Sequence, residues 1–520
     1  MNIKSKIDWP VLAISGGVLV LFVIASILSS GWTNNAVNLS FDFAANYFGL
    51  FWQVLMLATF VVAIGIAVSK YGKVQLGNLA KPEMSYFKWL SIIMCTLLAG
   101  GGVFWAAAEP MYHFMTTPPM NTGVEAGTES AVIPALSQSF MHWGFLAWAI
   151  LGTLGAIVMM YAHYHKGMPM KPRSLLYPVF GEKIMKDSPL GTMADAFSIV
   201  AVAAGTIGPI GFLGLQAAYG FDALFGIPNT FATQALIIIG LITIASISAV
   251  TGVHRGIQFL SRFNVIFTFV LIVAVMLLGP GAFIMNNFVG AYGTYLSDFT
   301  STSLYRGDAG WLSFWTVFFW GWFIGYGPMM AIFISRISRG RTIRELVTAV
   351  AIIAPLVTNF WFSVVGGSGI FFELQNPGSV SEALNTGGMP ASMIAIVTQL
   401  PFGTLMAFAF LFVTIIFVAT TSDSMSYTIS MAITGSSSPT SMIRVFWAVV
   451  MGTTAISLLY IGEGSIDALQ SFIVVTAVPV SLILLPLIWT APRVARQMAQ
   501  DQEHASKEET TESNQEKQVS

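Results

Sequence analysis

Apolar runs long enough to cross a bilayer recur along the chain, separated by short polar stretches. They fall at about residues 10–30, 48–69, 86–108, 134–162, 192–218, 231–250, 259–279, 311–335, 346–371, 402–433, 443–461 and 466–490. A helix needs roughly 20 apolar residues to cross the hydrocarbon core, so the pattern predicts an all-α integral membrane protein with twelve transmembrane helices. The charges between the runs test that count, because Lys and Arg collect in cytoplasmic loops. Lys70, Lys73, Lys81 and Lys88 follow span two, and Lys166, Lys171, Arg173, Lys183 and Lys186 follow span four. Arg255 and Arg262 flank the turn after span six, and Arg336, Arg339, Arg341 and Arg344 close span eight. Arg444 follows span ten, and Arg493 and Arg496 follow span twelve. The alternate loops hold acids instead: Glu125 and Glu129, Glu373 and Glu382, Glu463 and Asp467, with Arg306 offset by Asp308. The alternation places both termini in the cytoplasm.

The same pattern divides the chain into a cytoplasmic N-terminal segment (1–9), a membrane domain (10–496) and a cytoplasmic tail (497–520). The tail is polar and poor in aromatics, and is expected to be disordered. The run from Val11 to Leu28 follows Lys4 and Lys6 but has no small-residue cleavage site, and reads as a retained first span. Gly281 to Thr302, dotted with Asn, Gly and Tyr, reads as an external amphipathic helix along the membrane face.

Composition narrows the function. The chain has 520 residues, of which 9% are charged. Its mean hydropathy is +0.74, a value of membrane proteins. A net charge of -1 excludes a nucleic-acid binder, which needs a concentrated basic surface. The lone Cys95 forms no intrachain disulfide and reads as a small core residue. His163 and His165 lack a third ligand nearby. Glu109 and Asp195, near span ends, suit capping or inter-helix pairing. With no HExxH and no Ser-His-Asp order in the spans, no enzyme chemistry and no cofactor are expected.

Three motifs carry chemistry of another kind. Span eight is crowded with Trp315, Trp320, Trp322, Phe323 and Tyr326, although lipid is met equally well by Leu, Ile and Val. Trp315, Trp322 and Tyr326, spaced by seven and then four, share one helical face. Span four adds Trp143 and Trp148, five apart. A quaternary ammonium donates no hydrogen bond, so ring faces are what recognise it, each for about 0.5–2 kcal/mol. An interfacial aromatic belt is the competing reading; it suits Trp311 and Trp315, while Trp322 and Tyr326 lie too deep for it. In span ten, Phe417 precedes Thr420, Thr421, Ser422, Asp423 and Ser424. Such hydroxyls either hold an ion such as Na⁺ or bond their own helix backbone. In span three, Ala99-Gly100-Gly101-Gly102 marks either a close helix crossing or an unwound, ion-lining segment.

Span eight, WTVFFWGWFIGYGP followed by SRISRGRTIRE, resembles the signature of the betaine/choline/carnitine transporter family. The HW…W of span four, AAAEP closing span three, GIQFLS opening span seven and TTSDS in span ten fall at the family's positions, so the resemblance covers nearly the whole chain. It implies two inverted five-helix repeats, spans 3–7 and 8–12, preceded by two extra helices, and it suits a homotrimer. It places an aromatic box on Trp143, Trp148, Trp322, Phe323 and Tyr326, with Trp315 or Trp320 guarding the path, and a sodium site on Phe417, Thr420 and Thr421. The chain departs from the family's pattern at LLAGGG in span three, at Leu151 and at Phe323. Met330, four after Tyr326, resembles the carnitine antiporters, yet the span-seven positions where those carry a positive side chain are Asn264 and Val265. The implied function is import of a trimethylammonium or dimethylsulfonium solute (glycine betaine, choline, carnitine) across the cytoplasmic membrane by Na⁺ symport. The alternatives are a sodium-independent antiporter, a carrier of non-methylated solutes, and a channel or osmosensor.

Overall fold

The computed structural model describes residues 7–98, 102–185, 188–251, 254–435 and 439–519. Lys4, Lys6, Ala99, Gly100, Gly101, Lys186 and the side chains of Cys95 and 254–261 lie outside the described residues. The described chain is all-helical, with one isolated bridge between Gln75 and Thr342. Ten of its helices are long and apolar enough to cross a membrane, or eleven if a bent pair counts as one span.

The helices that position the site are, in chain order, α1 (Trp9–Leu28), α2 (Ser30–Val68), α3 (Tyr86–Leu98), α4 (Gly102–Met115), α5 (Val132–Trp143), α6 (Phe145–Gly152) and α7 (Leu154–Met160). They continue with α8 (Pro189–Phe225), α9 (Phe231–Thr251), α10 (His254–Leu278), α11 (Gly281–Ser297), α12 (Phe318–Ile337) and α13 (Ala354–Gln375). The chain ends with α14 (Gly403–Thr434), α15 (Ser441–Ile461), α16 (Asp467–Leu484) and α17 (Leu487–Val519). Helix α12 is the axis of the packing. It lies against α16, α6, α7 and α8, while α8 also meets α14 and α16, and α4 and α5 both meet α13.

Several boundaries differ from the hydrophobic pattern. Helix α2 begins at Ser30, so the polar stretch before residue 48 is helical too, and its 39 residues reach about 58 Å. Span four is not continuous: it breaks after Trp143 and again after Gly152. The first break has a clear cause. The Tyr295 hydroxyl occupies the place of a side chain at Gly144, and the Phe145 N–H donates to it at 2.9 Å. That tyrosine comes from α11, which the pattern placed along the membrane face. Helix α11 turns through 105° from the 262–278 segment and packs on α5.

The end of the chain also differs. Helix α17 runs past Arg496 instead of giving way to disorder at residue 497. Met498 is fully buried, the Tyr161 hydroxyl donates to Gln497 Oε1 at 2.7 Å, and the Gln502 amide donates to the Gln75 carbonyl at 2.6 Å. The start of this polar segment, as far as Gln502, is thus held by contacts with distant parts of the chain.

The basic end of span eight binds polypeptide. Arg339 pairs with Glu83 at 2.8 Å and stacks 4.5 Å from the Tyr164 ring. Arg341 donates to the Met84 carbonyl and covers Trp89 at 4.7 Å. Arg344 donates to the Ala67 carbonyl at 2.8 Å, where the last turn of α2 leaves carbonyls without intrahelical partners. Thr342 and Glu345 form a reciprocal cap for the helix that follows.

Candidate substrate and ion site

The aromatic crowd resolves into two groups. Phe319, Trp322 and Phe323 on α12 have nearly parallel rings: the interplanar angles are 17° for Phe319–Trp322, 16° for Phe319–Phe323 and 7° for Trp322–Phe323. Trp143, at the end of α5, stands across all three, at 68°, 82° and 84°, with centroids 5.4, 5.9 and 5.3 Å away. The result is a corner with a floor from one helix and an upright wall from another. Both indole N–H groups are already used. Trp322 donates to the Gly205 carbonyl at 3.0 Å, and Trp143 donates to Glu109 Oε2 at 2.8 Å. What remains is ring surface, which has no polar demand of its own.

Gly205 lets this corner close, because any Cβ there would run into the Tyr326 ring. The Tyr326 hydroxyl lies 3.0 Å from the Thr206 hydroxyl, fixing the ring one turn below Trp322. Phe362 backs Trp143 at 5.0 Å and Phe212 backs Trp322 at 6.0 Å. Trp148 is buried and makes no ring-to-ring contact among the described residues. Met330 is buried one turn beyond Tyr326.

The second group faces elsewhere. Trp315 sits on a π-helical turn, Ser313–Val317, whose extra residue rotates it towards His113, 4.5 Å away, and Trp105, 5.9 Å away. It is buried, unlike an interfacial residue, while Trp311 is part-exposed as such a residue should be. Trp320 lies 5.9 Å from His142. Trp322 keeps 4% exposure and Phe323 8%, whereas Phe319 and Trp320 have none and Trp315 has 1%.

The hydroxyl segment lies in α14. Thr420 Oγ1 donates to the Ile416 carbonyl at 2.8 Å and approaches the Phe417 carbonyl at 3.3 Å, so it bonds its own helix. The Thr421 and Ser422 hydroxyls are buried with no hydrogen-bond partner among the described residues. Asp423 is committed to Arg444 of α15, 2.8 Å away. A cation at this place would find the unpaired hydroxyls of Thr421 and Ser422 and neighbouring backbone oxygens. Of the span-three glycines, Gly102 is described, and its carbonyl accepts the Trp361 indole at 2.8 Å.

The sequence reading missed the depth of Glu109. Its Oε1 lies 2.6 Å from His142 Nδ1 and its Oε2 holds Trp143, so the carboxylate steers a ring of the corner. Phe319, Phe212 and Phe362 were also missed, since phenylalanine in an apolar run carries no signal beyond hydrophobicity. Asp195 pairs with Arg173 at 2.6 Å, an inter-element pairing of the expected kind.

A bundle of helices long and apolar enough to cross a membrane, burying an aromatic corner and unpaired hydroxyls, fits a polytopic carrier of small solutes. The match is to the family described as betaine/carnitine/choline transporters, over residues 10–500, and the chain belongs to that family, whose members are transporters and not enzymes. It is 55% identical to glycine betaine transporter 2 of Vibrio parahaemolyticus, covering 95% of this chain and 91% of that one. It is 32% identical to the ectoine/hydroxyectoine transporter of Virgibacillus pantothenticus, covering 94% and 97%. It is 31% identical to a glycine betaine transporter of Bacillus subtilis, covering 93% of each.

Proposed function

We propose that this chain is a secondary active transporter that imports glycine betaine, or a solute with the same trimethylammonium head, by symport with Na⁺. The observation that carries the reading is the corner of Trp143 against Phe319, Trp322 and Phe323, whose indole N–H groups are occupied and whose faces are left for a cation that can neither donate nor accept. Two such faces contribute about 1–4 kcal/mol together, more as water is excluded. The named function of the Vibrio relative supports betaine among the candidates.

Na⁺ is cargo in this reading, held by Phe417, Thr420 and Thr421; its support is the buried Thr421 hydroxyl without a partner. The membrane domain is proposed to hold twelve spans, with spans 3–7 and 8–12 as inverted repeats and both termini in the cytoplasm. Span eight then moves against its neighbours to expose the corner to each side in turn. A second reading, a carrier of ectoine-like solutes without methylated nitrogen, is favoured by the Virgibacillus relative and by Phe323, a weaker cation face than tryptophan. Labelled betaine uptake in cells lacking other carriers decides the matter. Saturable accumulation that collapses when K⁺ replaces Na⁺ is expected; accumulation that is unchanged by the replacement sinks the coupling, and uptake of ectoine but not betaine selects the second reading.

A further inference from the structure

Beside the aromatic corner, Glu109, His113 and His142 bring one oxygen and two ring nitrogens within 4.8 Å of one another, all fully buried. Glu109 and His113 are one turn apart on α4, and His142 comes from α5. Glu109 Oε1 is 2.6 Å from His142 Nδ1 and 3.4 Å from His113 Nε2. Glu109 also holds Trp143 of the corner, but transport of a methylated cation gives the two histidines no task.

We infer that Glu109, His113 and His142 form a binding site for a divalent transition metal of the zinc type. Two imidazoles and one carboxylate are a ligand set of Zn²⁺, with distances of about 2.0–2.2 Å and a fourth position left for water. Tetrahedral ligands then stand about 3.4 Å apart. The Glu109–His113 pair already has that spacing, and the Glu109–His142 pair must open by less than 1 Å.

Two further observations favour a metal over a merely structural polar cluster. His113 is buried with no hydrogen-bond partner at either ring nitrogen among the described residues, a costly state for an imidazole unless a ligand is to fill it. The other two members are oriented from behind, as metal ligands are. The Trp143 indole holds Glu109 Oε2, and His142 Nε2 lies 3.1 Å from both the Thr316 hydroxyl and the Gln138 amide. When Nδ1 takes the metal, the ring proton resides on Nε2 and is accepted by Thr316 Oγ1, with the Gln138 amide turned so that its oxygen and not its NH2 faces the ring.

Among the rings packed on the histidines, Trp311 and Trp315 lie 5.8 and 4.5 Å from His113, and Trp311 is part-exposed, which makes it the side for metal entry. A bound metal ties α4 to α5 and fixes the carboxylate that holds Trp143, so it slows the conformational cycle without occupying the corner.

The test uses the full-length detergent-purified chain, stripped with chelator and titrated with ZnCl₂. One Zn²⁺ per chain by elemental analysis is expected, and a parallel titration with CoCl₂ should give the visible absorption spectrum of four-coordinate Co²⁺. His113→Gln removes a ligand that holds no hydrogen bond, so the metal-free variant should melt at the wild-type temperature while its zinc affinity falls at least tenfold. In uptake assays Zn²⁺ should lower the maximal rate of the wild type, but not of His113→Gln, without raising KM. Substoichiometric zinc, or equal affinity in His113→Gln and the wild type, overturns the site. These readouts stand whatever the transported solute is.

Discussion

The ring corner on α12 and the hydroxyl segment on α14 are both departures from what a lipid-facing helix needs, yet they behave differently in the folded chain. The rings satisfy one another. Trp143, Phe319, Trp322 and Phe323 pack at 5.3 to 6.4 Å, and the indole N–H groups find Glu109 and Gly205. The hydroxyls divide: Thr420 turns back on its helix, while Thr421 stays buried and unpaired. Apolar surface buried without a ligand costs little, whereas a buried polar atom without a partner costs about 1–3 kcal/mol. The corner is therefore stable as it stands, and the Thr421 hydroxyl is a place where the fold asks for something it does not contain.

The largest effect that sharpens this contrast is expected at Trp322. Trp322→Leu keeps an apolar side chain of moderate size but removes a face of the corner. Betaine affinity should fall by about 2 kcal/mol, roughly 30-fold in Kd. Ligand-dependent thermal shift in saturating Na⁺ measures this, since stabilisation tracks binding. A variant that still binds within threefold of the wild type would show that the floor of the corner is packing alone.

The hydroxyl side of the comparison predicts an inequality. Thr421→Val removes the unpaired hydroxyl at nearly constant shape, so the sodium concentration for half-maximal uptake should rise roughly tenfold, equivalent to about 1.4 kcal/mol, with no loss of melting temperature. Thr420→Val deletes a hydroxyl already bonded to Ile416 and should raise it less. Equal effects of the two substitutions, or a larger one at Thr420, would remove the reason for placing Na⁺ at Thr421.

How far the sequence foretold these regions follows from what each depends on. Trp143 and Trp322 were readable because tryptophan at membrane depth is conspicuous, and Phe323 only through the family resemblance. The floor that Phe319 adds was not, since its ring is ordinary in an apolar run. The break at Gly144 depends on the Tyr295 hydroxyl, which arrives from 150 residues away. The register of Trp315 depends on one extra residue in a helical turn, which no periodicity announces. Glu109 and His142 are 33 residues apart, and only the packing of α4 on α5 brings them to 2.6 Å. The first half of α2, with Asn34, Asn35, Asn38 and Asp42, is too polar to read as a span, yet it contains no proline or long glycine run to end a helix. Hydrophobic runs thus announced most of the long apolar helices, while breaks, registers and polar pairings were decided by tertiary partners.

The smallest expected effect lies at the edge of the same crowd. Trp311 is as large as Trp322 and starts the same apolar run, but its part-exposed ring covers His113 and His142 and makes no contact with the corner rings among the described residues. Trp311→Leu should therefore change betaine Kd by less than about twofold in the same thermal-shift assay. Its influence belongs to the histidine pair beneath it: in zinc-loaded protein the metal should exchange faster into chelator, because one covering ring is gone. If Trp311→Leu weakened betaine binding as severely as Trp322→Leu, ring number along the helix and not the geometry of the corner would govern recognition, and the division between the two aromatic groups would fail.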